Sequence, residues 1–316
     1  LGGHLDGMGG DLTQPAHLRS SQSASLSPVL GQGSGDQDSR FWATGFGQIG
    51  DRDNTSGVNG FNFNVKGTAF GFTQRLSDSL SVGVALGFAH SDVDKNGSGK
   101  DKADHYLAGV QASYSDELFF AKLSVGGSFN SHELERTVAG GPTPLTASAD
   151  PDGYTLGAQL EVGTRYDLGG GVALSPVLTG GYVMAHREGY SESGAGMGNM
   201  TVDDDKAEAL RFGGELVLSH DTSFQAGGSD VGFSYEYRLG LRHQVALDDR
   251  KNNGSLQGFG QSFTLQGDSS ARTMVTTGAG LRFKLEDNAS IYLGYDGEFS
   301  EDYKTHTING GLRVTW

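Results

Sequence analysis

"VGFSYEYRLGLRHQV" (residues 231–245) alternates between two kinds of side chain. The odd positions from Val231 to Leu241 are apolar or aromatic, and the even positions from Gly232 to Arg242 are glycine, serine or charged. A period of two predicts a β-strand with one apolar face and one polar face. The apolar face could pack into the core of a soluble sandwich, or it could face the lipid around a membrane barrel. The rest of the chain decides between these two folds.

The composition narrows the classes of function. The chain has 316 residues, a net charge of −15, 52 glycines, 6 prolines and no cysteine. Nucleic acid is an unsuitable partner for so acidic a chain, because binding it requires a basic surface. No run approaches the roughly 18 apolar residues of a transmembrane helix, but a barrel strand escapes that test because only its alternate residues face lipid. Because the chain begins at Leu1 without a signal peptide, we expect it to be the C-terminal part of a longer protein.

Strand-like segments follow one another from Phe41 onward. They lie at residues 41–50, 61–76, 80–94, 102–115, 118–133, 153–167, 172–189, 207–222, 230–247, 271–285, 289–299 and 305–316. Most of these segments exceed the five or six residues of a typical globular strand, whereas a tilted membrane strand needs about 9–11. Their length therefore favours the membrane barrel over the sandwich.

The connections between the predicted strands alternate in length. Short turns are predicted at residues 77–79, 116–117, 168–171 and 286–288, and long polar loops at 134–152, 190–206 and 248–270. Antiparallel strands place alternate connections at the same end, so one rim should carry tight turns and the other long loops, as in outer-membrane barrels. An even number of strands also lets the first and last strands pair, which removes free edges. We predict an all-β fold, a transmembrane antiparallel barrel of twelve strands.

The polar faces of the predicted strands should line the lumen. Their charged candidates are Glu161, Arg165, Arg211, Glu215, Glu236, Arg238, Arg242, Arg282 and Lys284. One interpretation is that these charges neutralise one another and keep the wall rigid and hydrated, with a modest contribution to stability. The other is that they also form hydrogen bonds with a segment inside the pore. Both interpretations can hold together.

Residues 1–39 differ from the predicted barrel at residues 40–316. They are rich in glycine, serine and glutamine, and a short helix is predicted from near Thr13 to a point before Pro28. A twelve-stranded barrel leaves a channel, so we expect this segment to occupy the pore; the alternative is a disordered linker. Gly45 and Gly47 are predicted to lie on the inner face of the first strand and to leave clearance for that segment.

The segment "FNFNVKGTAFGFTQRL" (61–76) changes the parity of its apolar residues. Those from Phe61 to Val65 have odd numbers, and those from Phe70 to Leu76 have even numbers. A slip of one residue moves side chains to the opposite face of a strand, so the change predicts a β-bulge near residues 66–67.

No motif predicts catalysis, a cofactor or a metal ion. "GFGQIG" (45–50) matches a dinucleotide fingerprint, but a loop follows it where the fingerprint requires a helix. "DKNGSGKD" (94–101) begins like a calcium loop, but His105 stands where a bidentate glutamate belongs. "DDD" (203–205) could hold a divalent cation or keep its loop hydrated. We therefore predict that this chain is not an enzyme.

Three stretches resemble the translocator domain of a type V autotransporter of the classical monomeric kind. "RFWATGFGQIG" (40–50) is similar to its opening strand, "HTINGGLRVTW" (306–316) is similar to its closing strand, and the segment before Phe41 corresponds to its pore helix. The resemblance covers essentially the whole chain. It implies a twelve-stranded barrel in the bacterial outer membrane that anchors and exports an N-terminal passenger, which is absent here. The long loops would be extracellular, and the tight turns and C-terminus periplasmic.

The resemblance also implies partners. The outward residues of the last strand would form a C-terminal signal read by the β-barrel assembly machinery; they are Ile308, Leu312, Val314 and Trp316. The passenger, outer-membrane lipid and lipopolysaccharide are the other expected partners, and the barrel should be a monomer. Some family members release the passenger by cyclisation of an asparagine in the pore helix. Residues 1–40 contain no asparagine, so that route is not expected within this chain.

Two alternative functions stay open. The chain could be a non-enzymatic porin of similar size, or the barrel of an autotransporter whose missing passenger is an enzyme. The segment before the first strand favours a translocator over a porin, because a mature porin has no need of some forty residues there.

Overall fold

A computed structural model describes residues 39–54, 60–96, 98–139, 143–226, 229–247, 251–258, 262–266, 271–286 and 288–316. Apart from Ser39, the predicted pore segment lies outside these residues, so its helix and the boundary at residue 40 stay predictions. Within the described ranges, no helix is long and apolar enough to cross a membrane.

Twelve long strands form the wall of a barrel in the described part of the chain. They are β1 (Ser39–Arg52), β2 (Phe61–Arg75), β3 (Leu80–Asp94), β4 (Gly99–Ser115), β5 (Phe119–Val138), β7 (Asp152–Thr164), β9 (Val172–Arg187), β12 (Asp205–Ala226), β13 (Ser229–Ala246), β16 (Arg272–Glu286), β17 (Ala289–Phe299) and β18 (Tyr303–Thr315). Shorter strands lie between them, namely β6 (Leu145–Ala149), β8 (Tyr166–Gly169), β10 (Tyr190–Ser191), β11 (Met200–Val202), β14 (Lys251–Leu256) and β15 (Ser262–Gln266).

The wall closes on itself. Each long strand pairs antiparallel with the long strands before and after it, and β1 pairs with β18 from Arg40↔Thr315 to Arg52↔Tyr303. Two further hydrogen bonds extend this seam, from Ser39 N to Trp316 O at 3.2 Å and from Trp316 N to Ser39 O at 3.1 Å. Closure pairs the backbone groups that an open sheet edge would leave unsatisfied in lipid. The predicted twelve-stranded antiparallel barrel is confirmed.

The two rims differ, as the sequence predicts. We call the rim with the short connections after β2, β4, β8, β12 and β16 the turn rim, and the opposite one the loop rim. At the turn rim, the Asp116 carboxylate accepts hydrogen bonds from the backbone N–H groups of Leu118 and Phe119, at 3.0 and 2.7 Å. Gly169, Gly170 and Gly171 have φ angles of 89°, 62° and 80°, so glycine is needed to turn from β8 into β9.

The outward face carries an apolar band that ends at a row of rings. Leu178 and Leu239 expose 65% and 63% of their surfaces on this face. Neighbouring strands align a continuous aromatic row towards the loop rim: Phe88, Tyr106, Phe129, Tyr154 and His186. Beyond this row the outward positions of β3, β4 and β5 are mostly charged. An exposed apolar band bounded by aromatic rings fits a lipid-facing surface.

β2 contains no bulge, so the prediction of one near residues 66–67 is wrong. Its register with β1 and β3 runs without a shift through Gly67↔Phe46 and Gly67↔Ala89. Phe61 and Phe63 are 4% exposed, and they face inward in a cluster that also contains Tyr303. The polarity of the inner face changes along a regular strand because this part of the lumen wall is apolar. The change of parity in the sequence reflects that apolar patch and not a change of face.

The long loops are more ordered than predicted. Strands β10, β11, β14 and β15 form a four-stranded sheet, which we call the loop-rim sheet. A bridge between Ser148 and Ser193 joins the loop-rim sheet to β6, and β6 pairs with the loop-rim end of β5. The Arg136 guanidinium donates two hydrogen bonds to the Glu192 carboxylate, at 2.9 and 2.5 Å. An apolar cluster that includes Leu134, Met200 and Val202 packs between β5 and the loop-rim sheet.

Candidate functional site

The candidate functional site is the lumen, which is lined by the inner faces of the barrel strands. All the predicted lumen charges lie on inward positions or at the inner side of the turn rim. Inward Glu161, Glu236 and Arg242 have cross-strand partners Thr179, Gly280 and Gly213, and neighbouring residues of opposite parity form the exposed apolar band. The period-two pattern is therefore a reliable guide to which face each charge occupies.

Arginine and carboxylate side chains of β13 and β17 form a network at mid-height, across the intervening strand β16. The Arg238 Nη2 atom lies 2.8 Å from Asp296 Oδ1, and its Nε atom lies 3.4 Å from Glu236 Oε1. Arg242 pairs with Glu298. Both pairs are half-buried, so the removal of one partner would leave a partly desolvated charge without its ion pair.

The two β17 carboxylates of this network are absent from the predicted lumen charges. Asp296 and Glu298 alternate with Tyr295 and Gly297, so they share the inward parity of Tyr292. The alternation in "IYLGYDGEF" (291–299) carries this signal, because both carboxylates share the parity of Tyr292. Arg211 and Glu215 also face inward; the Arg211 Nε atom donates to Gln244 Oε1 at 3.2 Å.

The remaining predicted charges lie nearer the turn rim. Gln159 Nε2 donates to Glu161 Oε1 at 2.6 Å, and Arg165 Nη2 lies 3.4 Å from the Asp221 carboxylate. The Arg165–Asp221 pair is solvent-exposed and contributes little to stability. Arg282 and Lys284 lie in sequence along the inner face of β16.

A second polar network crosses β3, β4, β5 and β7 near the loop rim. Ser91 Oγ lies 2.9 Å from His105 Nε2, and His105 Nδ1 lies 2.8 Å from Asn130 Oδ1. Asn130 Nδ2 donates to Thr155 Oγ1 at 3.1 Å. The order of hydroxyl, imidazole and amide is that of a nucleophilic triad, but Ser91 is 0% exposed, so no substrate reaches its oxygen. The network joins four strands and satisfies their buried polar groups.

The polarity of the lumen near the loop rim is divided between two walls. One wall is the apolar cluster of Phe46, Phe61, Phe63, Val65, Ala89, Val93, Met274 and Tyr303. Another contains the His105 network and a pair between His132 Nδ1 and Asp101 Oδ1 at 2.9 Å, with both side chains buried. Such a lumen can contact apolar and polar surfaces of an occupant at the same time.

Gly45 and Gly47 lie on the outward face, so their predicted placement on the inner face is wrong. Trp42, Phe46 and the other even residues of β1 face inward, which sets the parity. A Cβ atom at Gly47 would meet nothing within 4 Å. The two glycines therefore do not widen the pore.

Other glycines make room on the inner face, where an aromatic ring of the neighbouring strand lies over each of them. A Cβ atom at Gly71 would lie 2.4 Å from Trp42 Cζ2, and one at Gly163 would lie 2.4 Å from Phe120 Cζ. The sequence hides these pairs, because only the register shows which glycine stands beside which ring.

The residues predicted as a C-terminal signal all lie on outward positions of the last strand. Ile308 and Trp316 are each 58% exposed, Leu312 is 45% exposed, and Val314 has the same parity. The Trp316 and Phe72 rings are 6.1 Å apart across the seam region at the turn rim. All four side chains therefore lie on the outer surface of the barrel.

Metal ligands do not converge in the residues that the structure describes. No group of three or more histidine, cysteine, aspartate or glutamate side chains there could hold an ion. Asp203 and Asp204 are exposed, and Asp205 is buried at the start of β12.

Comparison with known proteins gives one family and several distant relatives. Residues 41–296 match the model of a family described as the autotransporter beta-domain. The chain is 24% identical over 321 residues to an extracellular serine protease of Serratia marcescens, covering 99% of this chain and 30% of that protein. It is 26% identical over 263 residues to the esterase EstA of Pseudomonas aeruginosa, covering 81% of this chain and 38% of that protein. The chain thus spans about a third of the length of these curated relatives.

A solved structure has the same fold. The translocator domain of the autotransporter NalP from Neisseria meningitidis aligns with a TM-score of 0.76 at 13% identity, covering 95% of this chain and 96% of that chain. At so low an identity the likeness concerns the fold alone.

Proposed function

This chain belongs to the autotransporter beta-domain family, and on that premise we propose how its lumen and rims serve export. The chain is an outer-membrane translocator domain. We propose that residues 1–38 pass through the lumen and join the barrel to an N-terminal passenger at the cell surface.

The start of β1 in a closed wall carries this proposal. Ser39 is hydrogen-bonded to Trp316 at the turn rim, so any segment that precedes Ser39 begins there. Every barrel strand is paired on both sides, so the wall offers no side exit. A segment that connects the turn rim with a passenger beyond the loop rim must therefore run through the lumen.

We further propose that the turn rim faces the periplasm and that the loop rim faces the outside. The different lengths of the connections support this orientation. The chain has no cysteine, so single cysteines can report it. Ser191→Cys in the loop-rim sheet should react with a membrane-impermeant maleimide on intact cells, and Ser79→Cys at the turn rim should react only after lysis. The reverse pattern would contradict the orientation.

The barrel itself is proposed to perform no chemistry, and any enzymatic activity would belong to the passenger. The buried hydroxyl–imidazole network supports this view, because its members form one chain of hydrogen bonds from Ser91 to Thr155. Ser91→Ala should leave any hydrolysis by the full-length protein unchanged. Loss of hydrolysis by a folded Ser91→Ala protein would show that the barrel takes part.

The proposed partners follow from the outward surface. The last strand, with Trp316 at its end, would be read by the β-barrel assembly machinery. The charged outward positions beyond the aromatic row would meet lipopolysaccharide head groups. The barrel is proposed to act as a monomer, since the closed wall leaves no free strand edge for a second copy to extend.

A conductance measurement tests the proposal that residues 1–38 occupy the lumen. The intact chain in a planar bilayer should conduct little, and a chain without residues 1–38 should show a several-fold larger single-channel conductance. Replacement of residues 1–38 by a glycine–serine segment of equal length is the matched control for a tethered chain. Equal conductance of the intact and shortened chains would favour the porin alternative.

A further inference from the structure

Three basic side chains lie on the outward face beside the seam, where the apolar band ends. On β2, Lys66 is the first charged outward residue beyond Phe70 in the direction of the loop rim. On β18, His306 and Lys304 follow Ile308 on the same face. The three basic residues therefore lie at the loop-rim border of the lipid-facing surface, which is the level at which lipid head groups begin.

The register places Lys66 and His306 on two sides of one glycine. Lys66 stands opposite Gly47 of β1, and Gly47 stands opposite Ile308, two residues from His306. With strands about 4.8 Å apart and about 3.3 Å per residue, the Cα atoms of Lys66 and His306 are about 12 Å apart. A Cβ atom at Gly47 would meet nothing within 4 Å, so the surface between them is open. This space suits a phosphate group, which the flexible four-carbon stem of lysine can reach.

An aromatic enclosure holds the ring of His306. Its Nδ1 atom lies 2.9 Å from the Tyr295 hydroxyl, and the Phe299 ring stands edge-on with its centroid 5.3 Å away. Gly297 stands opposite His306 and makes room for this packing, because a Cβ atom there would lie 2.7 Å from the Phe299 ring. When the Tyr295 hydroxyl donates to Nδ1, the hydrogen is on Nε2, so neutral His306 keeps a donor for an outside group.

Lys66 has no carboxylate within salt-bridge distance in the part of the chain that the structure describes. Two carboxylates lie near it, and both face His90, which stands opposite Lys66. His90 Nδ1 lies 2.7 Å from Asp104 Oδ1, and His90 Nε2 lies 3.6 Å from Asp92 Oδ2. An exposed ammonium group at the border of the lipid band is favoured by an anion beside it, and lipid is the source of anions at that level.

Lys304 lies farther out and has acidic neighbours. It stands opposite Asp51, and Glu301 lies in the turn that precedes β18. Both carboxylates are farther from the apolar band than Lys66 and His306. We therefore assign Lys304 to the edge of the site and the other two basic residues to its centre.

We propose that Lys66 and His306, with Lys304 at the edge, bind a phosphate group of lipopolysaccharide over the surface of Gly47. The proposal rests on the proposed function, since the proposed orientation puts the loop rim in the leaflet that contains lipopolysaccharide. Charge complementarity favours this occupant, because its phosphates are anionic and lie at the border of the hydrocarbon. Its acyl chains would lie over the open outward surface on the turn-rim side, where Gly45 stands opposite Gly310.

Binding of lipid A to the folded full chain in detergent micelles, followed by native mass spectrometry, tests the site. Lys66→Gln with Lys304→Gln should raise the Kd for bisphosphorylated lipid A about tenfold, as expected for the loss of charge-assisted hydrogen bonds. His306→Phe, which keeps a ring and removes both nitrogens, should raise it about threefold.

The matched control removes two outward lysines from β4. Lys100→Gln with Lys102→Gln should change the Kd less than twofold, because these lysines stand opposite Glu135 and Glu133. An equal Kd for the unmodified chain and the variant of Lys66 and Lys304 would overturn the site, and so would equal effects of the two glutamine pairs.

The choice of lipid tests the ligand on the unmodified chain, so this measurement does not depend on how well a variant folds. Lipid A without phosphates and phosphatidylglycerol should each bind at least tenfold more weakly than bisphosphorylated lipid A. Equal binding of the two forms of lipid A would overturn the phosphate contact. Equal binding of phosphatidylglycerol would overturn lipopolysaccharide as the occupant.

The two proposals fail in distinguishable ways. If the cysteine labels place the loop rim outside and the variant of Lys66 and Lys304 binds lipid A as tightly as the unmodified chain, the orientation stands and the lipid site is refuted. If the labels show the reverse orientation, lipopolysaccharide is refuted as the occupant in cells, even where the tenfold loss in micelles supports the phosphate contact.

Discussion

Replacement of Leu239 by arginine tests where the lipid band lies. Leu239 is outward on β13 and 63% exposed, and its cross-strand neighbours are Leu216 and Thr277. Its side chain would meet lipid, and an arginine there would carry a charge into the hydrocarbon region.

The depth of Leu239 sets the expected cost. It is six residues from Phe233 towards the turn rim and four from His243 towards the loop rim, which is about 20 and 13 Å along a strand. A strand tilt of about 40° reduces these distances to about 15 and 10 Å of height, which puts Leu239 near the middle of a band about 25 Å tall. A cation at that depth should lower the free energy of unfolding by roughly 2–4 kcal/mol.

The matched control is the same substitution outside the band. Ser131→Arg is outward on β5, two residues beyond Phe129 of the aromatic row, and should cost about 0–1 kcal/mol. Leu239→Ala separates loss of apolar contact from introduction of charge. The adjacent inward residue is not a usable control, because a Cβ atom at Gly240 would lie 2.4 Å from Gly214 O.

Urea titration of folding in lipid vesicles, followed by the gel shift of unheated samples, measures these costs. Equal costs for Leu239→Arg and Ser131→Arg would refute the placement of the band. So would a cost below about 1 kcal/mol for Leu239→Arg, because a midplane cation costs more than that.

Three further predictions concern the wall, a turn and the last strand. Gly71→Ala should destabilise the barrel by about 1–3 kcal/mol in the same titration, because its Cβ atom would overlap the Trp42 ring, whereas Gly47→Ala should be near neutral. Hydrogen bonds from the N–H groups of Phe119 and Leu118 hold the pKa of Asp116 below its usual range. The stability that Asp116 contributes should therefore be present above its unfolded pKa and be lost as the pH falls through the lower folded pKa; a carboxyl NMR titration with an unshifted midpoint would contradict this. Deletion of Trp316 should lower the amount of heat-modifiable barrel in the outer membrane, and normal levels in a membrane fraction would count against a role in assembly.

The sequence predicts the barrel well because its signals are local. Alternation within each strand and the lengths of the connections depend on residues that are neighbours in the chain. Even the face of each charge follows from parity, as Arg238 and Arg242 illustrate. Predictions fail where a second strand or a second loop decides the outcome.

Two predictions on β1 and β2 are wrong for different reasons. The prediction for Gly45 and Gly47 depends on an expected need for space in the pore, but Trp42 and Phe46 take the inner face and leave the glycines outside. On β2 an apolar inner patch imitates a change of face, because Phe61 packs near Tyr303, which is distant in sequence. No local pattern carries that information.

The loop-rim sheet is beyond the reach of strand patterns for a similar reason. Its strands come from separate connections, and β11 pairs with β14 through Met200↔Leu256. Strands of two to six residues are too short for a period to be recognised. The Arg136–Glu192 pair unites residues that are 56 positions apart.

The register of the seam between β1 and β18 is specified mainly by side chains that face the lumen. Its outward side has little to distinguish one alignment from the next, because Gly45 stands opposite Gly310 and Gly47 opposite Ile308. Its inward side is specific: Gln48 Nε2 donates to Thr307 Oγ1 at 3.1 Å, and the Gln48 side chain is 1% exposed. A shift of one residue in the register would turn either Gln48 or Thr307 towards lipid and would break the hydrogen bond between them. The bond that depends on this register therefore faces the pore, and Gln48→Ala would remove it without changing the surface that faces lipid.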